Sequence, residues 1–114
     1  MENRKYMLGT EENKQFLKEM REGLLQFGHQ FPSPGGSSYG TPWKDRNRET
    51  WITARMAHVY SIGSMLGHEG SEALADAALK GLKGELHDDV NGGWYAGLTS
   101  CGEIVPSKQC YAHA

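Results

Sequence analysis

The apolar positions between Thr10 and Phe27 recur at helical spacing. Phe16, Leu17, Met20, Leu24 and Phe27 fall on one side, and Lys14, Lys18, Arg21 and Glu22 take the rest. Thr10 followed by Glu11 and Glu12 reads as an N-cap with carboxylates favoured by the helix dipole, and Gly28 ends the pattern. This predicts a one-sided amphipathic helix, an outer element of a larger packing. The segment Trp51 to Leu66 reads differently. Trp51, Ile52, Val59, Ile62 and Leu66 share one arc, and Arg55 projects from its middle. Thr53, Ala54, Ala57, Ser61 and Ser64 form an opposite side that is small and uncharged. A helix with no charged face is normally buried all round, so this one is expected to be an inner helix packed through its small side.

A third helix is predicted from a cap at Ser71 to about Lys83, stopped by Gly84. Leu74, Ala78, Leu79 and Leu82 would face inward, with Glu72, Asp76, Lys80 and Lys83 outward. Short apolar and aromatic runs, Gly92 to Leu98 and Glu103 to Val105, flank Ser100-Cys101-Gly102 and predict a β-hairpin. Pro106-Ser107 would close it, with Ser107 capping a fourth helix from Lys108. A helix that has just begun is not a natural place to stop, so the chain is expected to be a truncation. Between the first two helices, residues 28–48 hold three prolines and four glycines and cannot be regular for long. A loop of that length serves as a lid or binding loop or is a solvent-exposed connector. Phe31, Tyr39 and Trp43 favour a loop that packs on something.

Composition narrows the function classes. A length of 114 residues suits one small domain, and a net charge of −2 points to no nucleic-acid or membrane partner. No window approaches the ~18 apolar residues of a membrane span, and the polar N-terminus has no signal-peptide core. A soluble, cytoplasmic protein is expected. Cys101 and Cys110 fit neither a CxxC pair nor a metal-finger spacing, so two free thiols are the expectation. His87-Asp88-Asp89 is a run of polar loop residues of a kind that rarely binds metal, and His68-Glu69 lacks the second histidine of HExxH. No metal site is assigned.

Arg55 carries the most informative chemistry. A guanidinium does not lose its proton, so inside an apolar arc it must meet an anion, a carbonyl or a water-filled pocket. One reading is a structural ion pair with an acidic residue elsewhere. The other is an arginine reaching into a cavity that holds an oxygen-rich ligand. Trp51, one turn earlier, fits the second, because an indole can take the apolar face of a sugar while the cation takes its hydroxyls; it is equally a good core residue.

The segments WITARMAHVYSIG, GGWYAGL and KQCYAHA, in this order and spacing, resemble the N-acylglucosamine 2-epimerase superfamily. The likeness is greatest to its aldose–ketose isomerase branch of mannose and sulfoquinovose isomerases. It runs from about Phe27 to the last residue, and more weakly through the first helix. The resemblance implies an all-α fold, the (α/α)6 barrel of twelve helices in two concentric rings. Residues 1–114 would be the N-terminal portion of that single domain: about three helices, a hairpin and the start of a fourth helix.

The resemblance also implies roles. Arg55 would contact substrate near the reacting carbons and stabilise an enediolate, Trp51 would line the pocket, and Tyr111 would lie at the site. His113 belongs to the same motif and would take part in substrate binding. The implied reaction moves a proton between C2 and C1 of an aldose and a ketose of mannose/fructose type, with no cofactor. The partner is a monosaccharide, and a homo-oligomeric full-length protein is left open. Catalytic acid–base histidines come from later helices in such enzymes, so none of His29, His58, His68, His87 or His113 is assigned that part, and residues 1–114 alone are expected to be inactive. Two alternatives stay open: a 2-epimerase acting on N-acylglucosamine or a disaccharide, and a non-catalytic module that binds a carbohydrate or a protein.

Overall fold

The computed structural model describes residues 3–30 and 47–109. Among these the chain is mostly helical, with a small three-stranded sheet. Helix α1 spans Glu11–Phe27, α2 Thr50–Met65 and α3 Ser71–Lys83. The strands are β1 (Arg48–Glu49), β2 (Tyr95–Leu98) and β3 (Ile104–Lys108).

Helix α1 begins where its cap predicts. The Thr10 hydroxyl accepts from the Asn13 amide at 3.0 Å, and Glu11 and Glu12 sit in the first turn. A short 3-10 turn at Arg4–Tyr6 folds back over this end, where the Asn13 side chain donates to the Lys5 carbonyl at 2.6 Å and Tyr6 meets Phe16 edge to face. The buried side of α1 is not the predicted one. Leu17, Met20, Leu24 and Phe27 are exposed, and Leu25, off that stripe, is buried. The reason is positional: among the described residues α1 meets α2 at its C-terminal end, where Tyr60 donates to the Leu25 carbonyl at 2.5 Å. The phenol of Tyr60, desolvated there, has its pKa raised. Gly28 completes the contact, because any Cβ at that position would collide with the Tyr60 hydroxyl.

Helices α2 and α3 pack along their lengths through small residues. Ala57 and Ala78 form one buried cluster, flanked by Ile52, Met56, Leu74 and Leu82. Leu25, Tyr60 and Ala75 form a second. Thr50, Thr53, Ala57, Tyr60 and Gly63 are the buried residues of α2, so this helix does pack through its small side. It is not buried all round, however: Trp51, Val59, Ile62 and Leu66 are exposed, as is Arg55. In α3 the buried line is Ser71, Ala75, Ala78 and Gly81, with Leu74 and Leu82 half-buried beside it. Leu79, expected inward, is exposed. Close helix approach selects the small residues and leaves the larger ones at the margin. Gly70, with φ at 84°, occupies the cap position expected of Ser71, which is the first helical residue instead.

The hairpin forms where the sequence places it, with a turn at 99–103. It carries a third strand: β1 pairs antiparallel with β2, matching Arg48 with Leu98 and Glu49 with Gly97. Gly97 is required here, since a Cβ would run into the Arg48 carbonyl oxygen. The fourth helix expected from Lys108 does not begin there. β3 continues through Pro106 and Ser107 to Lys108, paired with Tyr95 across a bulge. An edge strand tolerates proline, and a bulge absorbs the extra residue.

Candidate functional site

The first turns of α2 carry the candidate site. β1 leads into this helix without a break, and Glu49 is its cap residue. The Thr53 hydroxyl donates to the Glu49 carbonyl at 2.9 Å, and the buried Thr50 hydroxyl donates to the Tyr95 carbonyl at 2.5 Å. These bonds fix the start of α2 to the sheet. Trp51 and Arg55, one turn apart, then stand on the side opposite the α3 contact. The Arg55 guanidinium carbon lies 5.6 Å from the centre of the Trp51 ring, within cation–π range. Trp51 is 39% exposed, and among the described residues no carboxylate makes an ion pair with Arg55. The cation and the indole together form a small amphipathic surface on the open arc, continued along the helix by Ile62, Val59 and Leu66. Such a surface can hold a ring whose one face is apolar and whose edges carry hydroxyls.

The other expected site residues, Tyr111 and His113, lie outside the described residues, as do Cys110 and the aromatic residues Phe31, Tyr39 and Trp43. Cys101 is a free, exposed thiol. Among the described residues, Lys5 and Phe16 help to line one surface concavity, and Asp76 and Lys83 another.

Other polar clusters have structural work. His29 and His68 approach with their Nε2 atoms 3.2 Å apart, tying the end of α1 to the α2–α3 turn. His87 Nδ1 lies 2.8 Å from Asp89 Oδ1, and its ring meets Trp94 edge to face. Asp88, buried at 4% exposure, closes the turn before β2. Its Oδ1 accepts from the Val90 and Asn91 amides, both at 3.0 Å, and its Oδ2 receives Lys108 Nζ at 2.5 Å. The Lys108 ammonium, joined by the Asn91 and Val90 amides, holds this carboxyl far below the usual carboxylate range. Reasoning from sequence missed the parts of Thr50, Asp88 and Lys108. A signal existed for Asp88: an aspartate followed by Asn91-Gly92 is a turn signature, because the carboxylate can accept from amides two and three residues on.

Fold and site together define a mostly helical protein with a small sheet that presents a cation–aromatic pair on an exposed helix face. Residues 36–114 match the model of the family described as N-acylglucosamine 2-epimerase (GlcNAc 2-epimerase), and the chain belongs to that family. It is 40% identical over 76 residues, 66% of its length, to a D-mannose isomerase of Thermobifida fusca. It is 37% identical over 81 residues, 70% of its length, to a D-mannose isomerase of Pseudomonas cannabina pv. alisalensis. In each case the match spans 19% of the relative's own length. No helix among the described residues is long and apolar enough to cross a membrane.

Proposed function

We propose that this chain is the N-terminal portion of a sugar isomerase that interconverts an aldose and a ketose of mannose/fructose type by proton transfer between C2 and C1. The observation that carries the proposal is the Arg55–Trp51 pair on the open arc of α2, in a chain of this family. In the complete protein further helices of an (α/α)6 barrel cover the arc and turn it into a pocket wall. The open apolar side chains favour this: burying each of Val59, Ile62 and Leu66 contributes about 1.5–3 kcal/mol. Trp51 takes the apolar face of the sugar. Removing the C2 proton builds negative charge on oxygen as an enediolate forms, and Arg55, fixed in a water-poor cavity, stabilises that charge more than it stabilises the neutral sugar. Tyr111 donates to the same or a neighbouring oxygen, and His113 adds a contact to the sugar. The proton itself needs a base poised near neutral pH, which histidines from later helices supply.

Residues 1–114 therefore hold substrate-binding residues without the acid–base machinery that turns the sugar over. The test is conversion of mannose to fructose by the full-length protein beside the 1–114 fragment. Activity confined to the former supports the proposal, and turnover by the fragment above buffer contradicts it. A 2-epimerase is the second reading, favoured by the family model that matches. Formation of the C2 epimer of N-acetylglucosamine, with no ketose from mannose, would select it.

A further inference from the structure

His29 and His68, 39 residues apart in the chain, meet imidazole to imidazole. Their Nε2 atoms lie 3.2 Å apart, with the ring centres 5.4 Å apart and the planes crossed at 74°. Both residues are half-buried. Each ring is held from behind. His29 stands in the 3-10 turn Gly28–Gln30 that follows α1, and its ring meets Tyr60 edge to face at 5.7 Å. Gly70 backs the same ring: a Cβ there would lie 3.0 Å from His29 Cε1, and its φ of 84° favours glycine. His68 sits in the α2–α3 turn, where its amide donates to the Gly63 carbonyl at 2.9 Å and its carbonyl accepts from the Ser71 amide at 3.3 Å. Two imidazole nitrogens are thus brought together by backbone bonds and ring packing that do not depend on the pair itself.

We propose that His29 and His68 form a two-histidine site for a divalent transition metal of the zinc type, which staples the end of α1 to the α2–α3 turn. Imidazole suits zinc, copper and nickel as a ligand. Zinc holds each nitrogen at about 2.0–2.1 Å, so two ligands at a near-tetrahedral angle stand about 3.3 Å apart. The observed separation matches that spacing, so the ion enters with little movement of either ring. Without metal, one ring donates its Nε2–H and the other accepts. With metal, both Nε2 lone pairs turn to the ion, and the donor ring carries its proton on Nδ1 instead, with no net proton lost from two neutral rings. The described residues supply two ligands, and water fills the remaining positions of an open site. The pair lies beyond the C-terminal end of α2, about 20 Å of helix away from Trp51. The site is therefore independent of the sugar reading.

The experiment uses the natural full-length protein, stripped with a chelator, and its His29→Gln and His68→Gln variants. His87→Gln serves as a control for binding by another histidine. Titration calorimetry with zinc counts the sites, Tm with and without zinc reads the staple, and the electron paramagnetic resonance of added copper(II) reads the nitrogen ligands. The expected result is a zinc site that is lost, or at least tenfold weaker, in both variants and unchanged in His87→Gln. Zinc raises the Tm of the natural protein and of His87→Gln but not of the other two. The copper spectrum shows two imidazole nitrogens in the natural protein and one in either variant. If a variant does not fold, which its metal-free Tm shows, the copper spectrum of the natural protein decides without it. Zinc binding that survives in His29→Gln and His68→Gln overturns the site, and so does a natural protein that binds no zinc. A Tm lowered in the variants with no response to zinc in any of them leaves the pair a hydrogen bond between imidazoles, which also overturns the site.

Discussion

The hydroxyl of Thr50 donates to the main-chain carbonyl of Tyr95 at 2.5 Å, joining the first residue of α2 to the first residue of β2. Thr50 is fully buried. Everything that Trp51 and Arg55 can do depends on where this helix starts, and this bond sets it. Replacing Thr50 by valine keeps the shape but removes the donor, leaving the Tyr95 carbonyl without that partner. The expected loss is about 1–3 kcal/mol of stability, read as a lower urea midpoint, whereas Thr50→Ser should lose less. Equal losses for the two variants would assign the effect to packing rather than to the hydrogen bond.

Gly97 gives a second test, of the unforeseen third strand. A methyl group there meets the Arg48 carbonyl, a backbone atom that cannot swing aside. Gly97→Ala should cost about 1–3 kcal/mol, as overpacking of a fixed site does, and should release β1 from β2. The same substitution at Gly102, where nothing lies within contact distance but φ is 86°, should cost only the backbone strain of that conformation. A neutral Gly97→Ala would mean that β1 does not pair as described.

The Asp88 carboxyl gives stability a pH dependence of known sign. Its pKa is depressed in the folded protein by Lys108 and by backbone amides, so the unfolded chain binds its proton first as pH falls. The stabilisation is fully present above the unfolded value near 4 and is lost progressively below it. Urea midpoints measured from about pH 6 down to about pH 2.5 should therefore fall more steeply for the natural sequence than for Asp88→Asn. Parallel curves would show that the Lys108 contact does not form in solution.

Much of this was legible in the sequence, for local reasons. Thr10, Gly28 and Gly84 mark helix ends because caps and stops are set by single residues. The hairpin turn and the small packed side of α2 are equally local patterns. What was not legible depends on partners distant in the chain. The stripe on α1 predicts a buried face, yet only Leu25, off that stripe, meets Tyr60. Arg48 and Glu49 are polar and form a strand only because β2 is beside them. Pro106-Ser107 reads as an end to pairing, and only an edge position with a bulge lets β3 pass through it to Lys108. At the site, periodicity places Arg55 in the apolar arc of Trp51, and the structure adds their contact and the openness of that arc. Tyr111 and His113 lie outside the described residues.

The central claim is that Arg55 stabilises charge developing on a sugar oxygen. It is tested most directly by kcat, KM and Tm for Arg55→Lys and Arg55→Ala in the full-length protein with mannose. Lysine keeps the charge but loses the planar two-pronged donor, so Arg55→Lys should lower kcat by about 10²- to 10³-fold with a smaller change in KM and little change in Tm. A kcat close to that of the natural enzyme in Arg55→Ala, with the melting temperature lowered, would contradict the claim and leave Arg55 a structural residue.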